Sequence, residues 1–271
     1  MTRARPGQYT NYGFGPSSGF HVLKDKWNQR SYIHGHVSAL VQELSEAIGA
    51  TKKAAQVRSD AAYHFGIDTR RPRERHAFRD LETRTDERGL EQRLYREYGP
   101  NADQLPSPVW EQLVAYQVPL FNTRRTREGW GHVDLLAVSA DLQPVVIELK
   151  HEAADDTPLR TLLECVANMI GVEANWERIA SEVRSLSPLD GRFASQDLTT
   201  VAPVGVLLAP IEYWDNWAPF GAFAHRISAD TRRAFQELRG SLASAGYPTK
   251  LASVSRTGDG RPQVHEVTCG W

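Results

Sequence analysis

The chain has 271 residues, 41% of them hydrophobic, and a formal net charge of −1. That length and apolar content support one sizeable core with or without an extension, and the balanced charge excludes a globally basic nucleic-acid binder, so any phosphate contact must come from local patches. No apolar run approaches a membrane span, no signal peptide follows Arg3 and Arg5, and Cys165 and Cys269 form no CxxC pair, which together point to a soluble cytoplasmic protein with neither zinc ribbon nor disulfide framework.

Residues 1 to about 30 are rich in Gly, Tyr, Asn and Ser and read as an irregular arm. Its aromatics Tyr9, Tyr12, Phe14 and Phe20 suit docking onto the protein's own core or a second subunit, and also stacking on bases. Ser38 to Ala50 has helical spacing in Leu40, Val41, Leu44 and Ile48, with Gly49 as its stop. Residues 69–88 are dense in charge, with Arg70, Arg71, Arg73 and Arg75 as the strongest basic cluster. They read as a solvated linker, with a phosphate-backbone contact as the alternative. A boundary here divides an N-terminal extension, 1–80, from a core, 81–271. The extension is where a homodimer or DNA contact would lie.

Gly89 to Tyr98 predicts an amphipathic helix carrying Leu90, Leu94 and Tyr98 on one face. Leu113 to Phe121 predicts a strand, which Pro119 confines to a sheet edge or ends. Arg124, Arg125 and Arg127 follow on a loop, either an ordinary solvated turn or a grip on a substrate backbone. Val133–Ser139 and Pro144–Lys150 are the next strands. A helix then starts at Pro158 behind the cap candidates Asp155, Asp156 and Thr157. Leu159, Leu162, Leu163, Val166, Met169 and Ile170 mark its buried face, and helical character continues past Trp176 towards Arg184. Ala202–Ile211 reads as a buried strand. Tyr213, Trp214 and Trp217 then cluster as a packed corner, with stacking on bases as the alternative. Ser228–Ala245 reads as a helix stopped by Gly246, and Lys250–Val254 with Gln263–Val267 as a terminal hairpin.

The central hairpin, Gly131 to Lys150, carries the chemistry. A turn centred on Asp141 sets Asp134 opposite Glu148, since each lies seven residues from that centre. Such cross-strand pairs bring Cβ atoms to about 4.5–5.5 Å. Lys150, two residues on, points to the same face. Two carboxylates between apolar strands are costly to bury. A hard divalent cation resolves the conflict, because such ions select carboxylate, carbonyl and water oxygens. The structural alternative is a salt bridge from Lys150 to Glu148 or Asp134.

Asp134 followed by Glu148-Leu149-Lys150 across a hairpin resembles the PD-(D/E)xK nuclease superfamily, with Val133 where that motif has Pro. The resemblance implies an α/β, restriction-endonuclease-like core of helix, three strands, helix and strand, with a central mixed sheet flanked by helices. It implies Mg²⁺-dependent cleavage of phosphodiester bonds, with DNA as partner and Mn²⁺ able to substitute. Asp134, Glu148 and the Leu149 carbonyl would hold the metal, and Lys150 would act on the water or the phosphate. The superfamily's first core helix commonly adds an acidic residue. Glu91 matches that place, with Glu111 as a rival. Glu164, on the helix after the motif, would support the site. GxSxG, HExxH and GxxxxGK[ST] are absent. Restriction or phage defence, repair and recombination stay open as roles. A catalytically inactive module that binds nucleic acid or assembles a complex is the reading from another class.

Overall fold

The computed structural model describes residues 44–46, 48–49, 51–52, 86–99, 106–120, 132–186, 202–258 and 260–267. Strands β1 (Gln112–Pro119), β2 (His132–Val138), β3 (Pro144–Leu149), β4 (Val204–Pro210), β5 (Thr249–Arg256) and β6 (Pro262–Glu266) form one sheet in that order. The β3–β4 and β4–β5 pairs are parallel, and the other three are antiparallel. Helix α1 (Glu87–Tyr98) precedes β1, and α2 (Pro158–Leu186) is the crossover between parallel β3 and β4. Helices α3 (Ile211–Trp217) and α4 (Ala229–Ser244) connect β4 to β5. The result is an α/β fold with a six-stranded mixed sheet flanked by helices.

Alternation along the strands divides the apolar side chains between two cores. Leu136, Val138, Val146, Leu207 and Leu251 pack with Leu162, Leu163, Val166 and Ile170 of α2. Leu135, Ala137, Ile147, Leu149, Val206 and Leu208 pack with Leu90, Leu94 and Tyr98 of α1 on the other face. Central strands buried on both sides must be apolar on both sides, which is the pattern of β2 and β3. Of the segment assigned to the extension, Leu44 joins the α2-side core, and Lys52 lies 3.6 Å from Glu173. The arm and the charged stretch 69–80 lie outside the described residues.

The β2–β3 hairpin pairs Leu135 with Ile147 through to Val138 with Pro144, the register of a turn centred on Asp141. Ser139 holds that turn. Its N–H donates to the Gln143 carbonyl, its Oγ accepts the Gln143 N–H, and its carbonyl accepts the Leu142 N–H. Those bonds keep Leu142 at a φ of 62°, a region that costs a leucine energy. Pro119 closes β1, which is the sheet's edge strand, where its missing N–H is harmless.

Side chains cap the starts of the two helices nearest the hairpin. Asp86 accepts the Gly89 N–H at 2.9 Å, so α1 begins at Glu87, two residues before the helix read from the sequence. Thr157 Oγ1 accepts the Arg160 N–H at 3.2 Å and launches α2. The predicted corner after β4 is instead helix α3. Tyr213, Trp214 and Trp217 are buried there, and the Trp214 indole N–H donates to the Ala252 carbonyl. Buried in this way, they are not available for stacking on bases. Among the described residues no helix is long and apolar enough to cross a membrane.

Gly205 lets α2 sit close on β4. A Cβ there would lie 2.7 Å from Met169 Sδ and 2.8 Å from Cys165 Sγ, both on a helix already packed against the sheet. Gly205→Val is therefore expected to destabilise the protein by about 1–3 kcal/mol, the usual cost of overpacking. Chemical denaturation checks this. An unchanged midpoint would mean that α2 yields at no cost.

Candidate metal centre

Carried one residue further, the β2–β3 register sets Asp134 beside Glu148. Asp134 is 8% exposed, Glu148 and Lys150 5% each, and Glu91 2%, so water cannot carry their charges. Asp134 Oδ2 accepts the Leu149 N–H at 2.8 Å. Glu148 accepts Lys150 Nζ at 2.8 Å on one oxygen and Asn168 Nδ2 at 3.1 Å on the other. Lys150 Nζ also lies 3.1 Å from Glu164 and 4.0 Å from Asp156. Arg160 ties those last two carboxylates together, at 3.0 Å from Asp156 and 3.4 Å from Glu164.

A second group approaches from α1. Glu87 and Glu91 are four residues apart and share one helix face. Carboxylate oxygens of Glu87, Glu91 and Asp134 all lie within 4.8 Å of one another. Glu91 Oε1 accepts Gln117 Nε2 at 2.7 Å, while its Oε2 is buried with no hydrogen-bond partner. A buried carboxylate oxygen without a donor loses its hydration for nothing in return.

The electrostatics reflect this crowding. Burial, and then the Glu87 charge, pushes Glu91 up to about 8. Burial, Glu148 and Glu91 push Asp134 well above its ordinary value. Burial raises Glu87 too, with Lys150 opposing. The Glu148–Lys150 pair is pulled both ways. Burial lifts Glu148 to about 7 in spite of its ammonium partner. Burial also disfavours the charge on Lys150, but Glu148, Glu164, Glu87 and Asp134 outweigh it and hold the ammonium charged. The carboxylates of Glu87, Glu91, Asp134, Glu148 and Glu164 thus outnumber the one ammonium among them, and protons must neutralise the excess unless another cation does.

Of the residues singled out in the sequence, Asp134, Glu148, Lys150, Glu91 and Glu164 come together. Glu148 differs from expectation, because both its oxygens face Lys150 and Asn168 and Glu87 stands in the acidic group with Asp134. The Leu149 group engaged with Asp134 is its N–H, where the expectation concerned its carbonyl. Glu111 is not at this site: its N–H pairs with Val138, at the far end of β2 from Asp134. Arg124, Arg125 and Arg127 lie outside the described residues. Sequence reasoning missed Glu87 and Asn168. Asp86 as an N-cap would have signalled Glu87, since it places residues 87 and 91 on one face. Asn168 had no local signal.

This donor set suits a hard divalent ion such as Mg²⁺ or Mn²⁺, with carboxylates from Glu87, Glu91 and Asp134 as the oxygens. It also implies a pH dependence. The unfolded chain releases these protons near the ordinary value of 4.5, whereas the folded chain keeps them to about 7 on Glu148 and about 8 on Glu91. The folded state therefore binds more protons across that window, and metal-free stability falls as pH rises through it. Divalent binding displaces protons, so Mg²⁺ affinity is expected to climb over the same range. Calorimetry in two buffers of different ionisation enthalpy checks this, and equal heats in both would contradict it. No protein-family model, no curated protein and no solved structure matches the chain.

Proposed function

We propose that the chain is a divalent-metal-dependent nuclease of the PD-(D/E)xK type with a restriction-endonuclease-like core, hydrolysing phosphodiester bonds of DNA. The order α1, β1–β3, α2, β4 agrees with the helix, three strands, helix and strand that the motif resemblance implies. The observation that carries the reading is the buried, partnerless oxygen of Glu91 in a group with Asp134 and Glu87. A structural salt bridge explains Lys150 with Glu148, but it leaves that group without a purpose.

A bound Mg²⁺ would lower the pKa of a water and offset charge on the scissile phosphate. The chain's own residues do the rest. Asp134, Glu91 and Glu87 supply oxygens. Lys150, kept charged by Glu148 and Glu164, offers a fixed positive charge to the phosphate or the attacking water. Asn168 and Glu164 hold Glu148 and Lys150 in place. Arg124, Arg125 and Arg127, on the segment just before the hairpin, are the candidate grips on the substrate backbone.

The test is cleavage of plasmid and single-stranded DNA with Mg²⁺, with Mn²⁺ and with chelator. Products that appear equally in chelator, or no products under any condition, would overturn the reading. The inactive nucleic-acid-binding or assembly module is favoured by one observation, that both oxygens of Glu148 are already engaged. Calorimetric titration of Mn²⁺ separates the two, because a module without a metal site shows no carboxylate-dependent binding.

A further inference from the structure

One residue of the sheet stands in a conformation that strands disfavour. Gln117, in β1, has a φ of 49°. That left-handed region costs energy in a residue with a side chain. Such outliers persist where the surroundings hold them in place.

The conformation breaks the alternation of β1. Neighbouring residues of a regular strand point to opposite faces of the sheet, so only one of Tyr116 and Gln117 would meet α1. Both meet it. The Tyr116 ring centroid lies 4.8 Å from that of Tyr95, and Gln117 Nε2 donates to Glu91 Oε1 at 2.7 Å. Tyr95 and Glu91 are four residues apart and share one face of α1. The backbone at Gln117 thus brings its amide round to the helix that carries two of the site's carboxylates, Glu87 and Glu91. In the β1–β2 ladder Tyr116 pairs with Leu135 and Val118 with Val133, so Gln117 stands at the level of Asp134, the third.

Glu91 shows what the amide does there. It is 2% exposed, and its Oε2 has no hydrogen-bond partner. The bond from Gln117 is the one hydrogen bond to its carboxylate among the described residues. Held by one oxygen, the carboxylate cannot turn freely, and its second oxygen stays available in the group with Glu87 and Asp134. Metal ligands are commonly oriented in this way by a partner that does not touch the ion. We propose that Gln117 is a positioning residue of the metal centre, fixing Glu91 through Oε1 so that Oε2 is left for the ion. The inference rests on the metal-dependent reading and deepens it.

Calorimetric titration of the full chain with Mn²⁺ alone, without DNA, reads this apart from catalysis. Gln117→Gly frees the backbone and removes the amide. Gln117→Met keeps a long side chain and removes the donor. Each is expected to weaken Mn²⁺ binding about 10- to 100-fold, the usual loss when the partner that orients a ligand is removed. Thermal unfolding in chelator checks that both variants fold, and should Gln117→Met not fold, Gln117→Gly alone decides. A residue kept only for the shape of β1 behaves otherwise, because Gln117→Gly then relieves strain and binds Mn²⁺ as the wild type does. Wild-type affinity in either folded variant overturns the proposal, and a wild type that binds no Mn²⁺ overturns it together with the metal centre. If the wild type cleaves DNA while a variant binds Mn²⁺ as tightly as the wild type, the positioning role fails and the nuclease reading stands. If the variants lose affinity and the wild type cleaves no DNA, the positioning role stands and the nuclease reading fails.

Discussion

Asp134→Asn is expected to lower Mg²⁺-dependent strand cleavage by at least about a thousandfold, the scale seen when one preorganised charge-stabilising group is removed. It is also expected to leave the metal-free protein at least as stable as the wild type. Asp134 is the residue shared by the two halves of the site. It faces Glu87 and Glu91 on one side and Glu148 on the other. Asparagine keeps an oxygen for the Leu149 N–H and puts a donor where like charges now meet. A structural aspartate would behave in the opposite way, losing stability and sparing activity. Cleavage assays paired with thermal unfolding in chelator separate the outcomes, and a variant that cleaves at the wild-type rate removes Asp134 from the chemistry.

Lys150→Met should be costly twice, in activity and in stability. The ammonium lies between Glu148 at 2.8 Å and Glu164 at 3.1 Å, almost wholly out of water. Methionine leaves Glu148 without a counter-charge and Glu164 with Arg160 alone. Breaking a buried pair from one side typically costs about 3–5 kcal/mol. The loss should be largest near neutral pH and shrink towards about pH 5, where Glu148, raised to about 7, can take up a proton instead. Urea unfolding at both pH values measures this. A small loss of the same size at both would show that the ammonium does little to hold the site together. The two substitutions thus predict opposite stability changes from residues on neighbouring strands of one hairpin.

The hairpin was legible because its geometry is local. Strand alternation and a short turn suffice to place Asp134, Glu148 and Lys150 on one face, and the register centred on Asp141 is the one observed. The long helix after Thr157, the buried strand β4 and the terminal hairpin were legible for the same reason, each carried by periodicity and a stop or cap. The aromatic run after β4 was less so. Tyr213, Trp214 and Trp217 mark burial whether the backbone is a corner or a helix, and apolar content alone does not choose between them.

What the sequence by itself determined is the hairpin with its opposed carboxylates and lysine, together with the order of helices and strands around it. Only the tertiary structure decided which groups complete the site. Glu87 enters because α1 starts at Asp86 and its first turns come beside Asp134, and Asn168 because α2 lies close on β4 over Gly205. It likewise decided that Glu148 turns to Lys150 and Asn168 while Glu91 keeps a buried oxygen without a donor. The reason is physical. Alternation and helical period act between near neighbours along the chain, whereas the approach of a helix to a sheet is set by side-chain packing between segments distant in sequence.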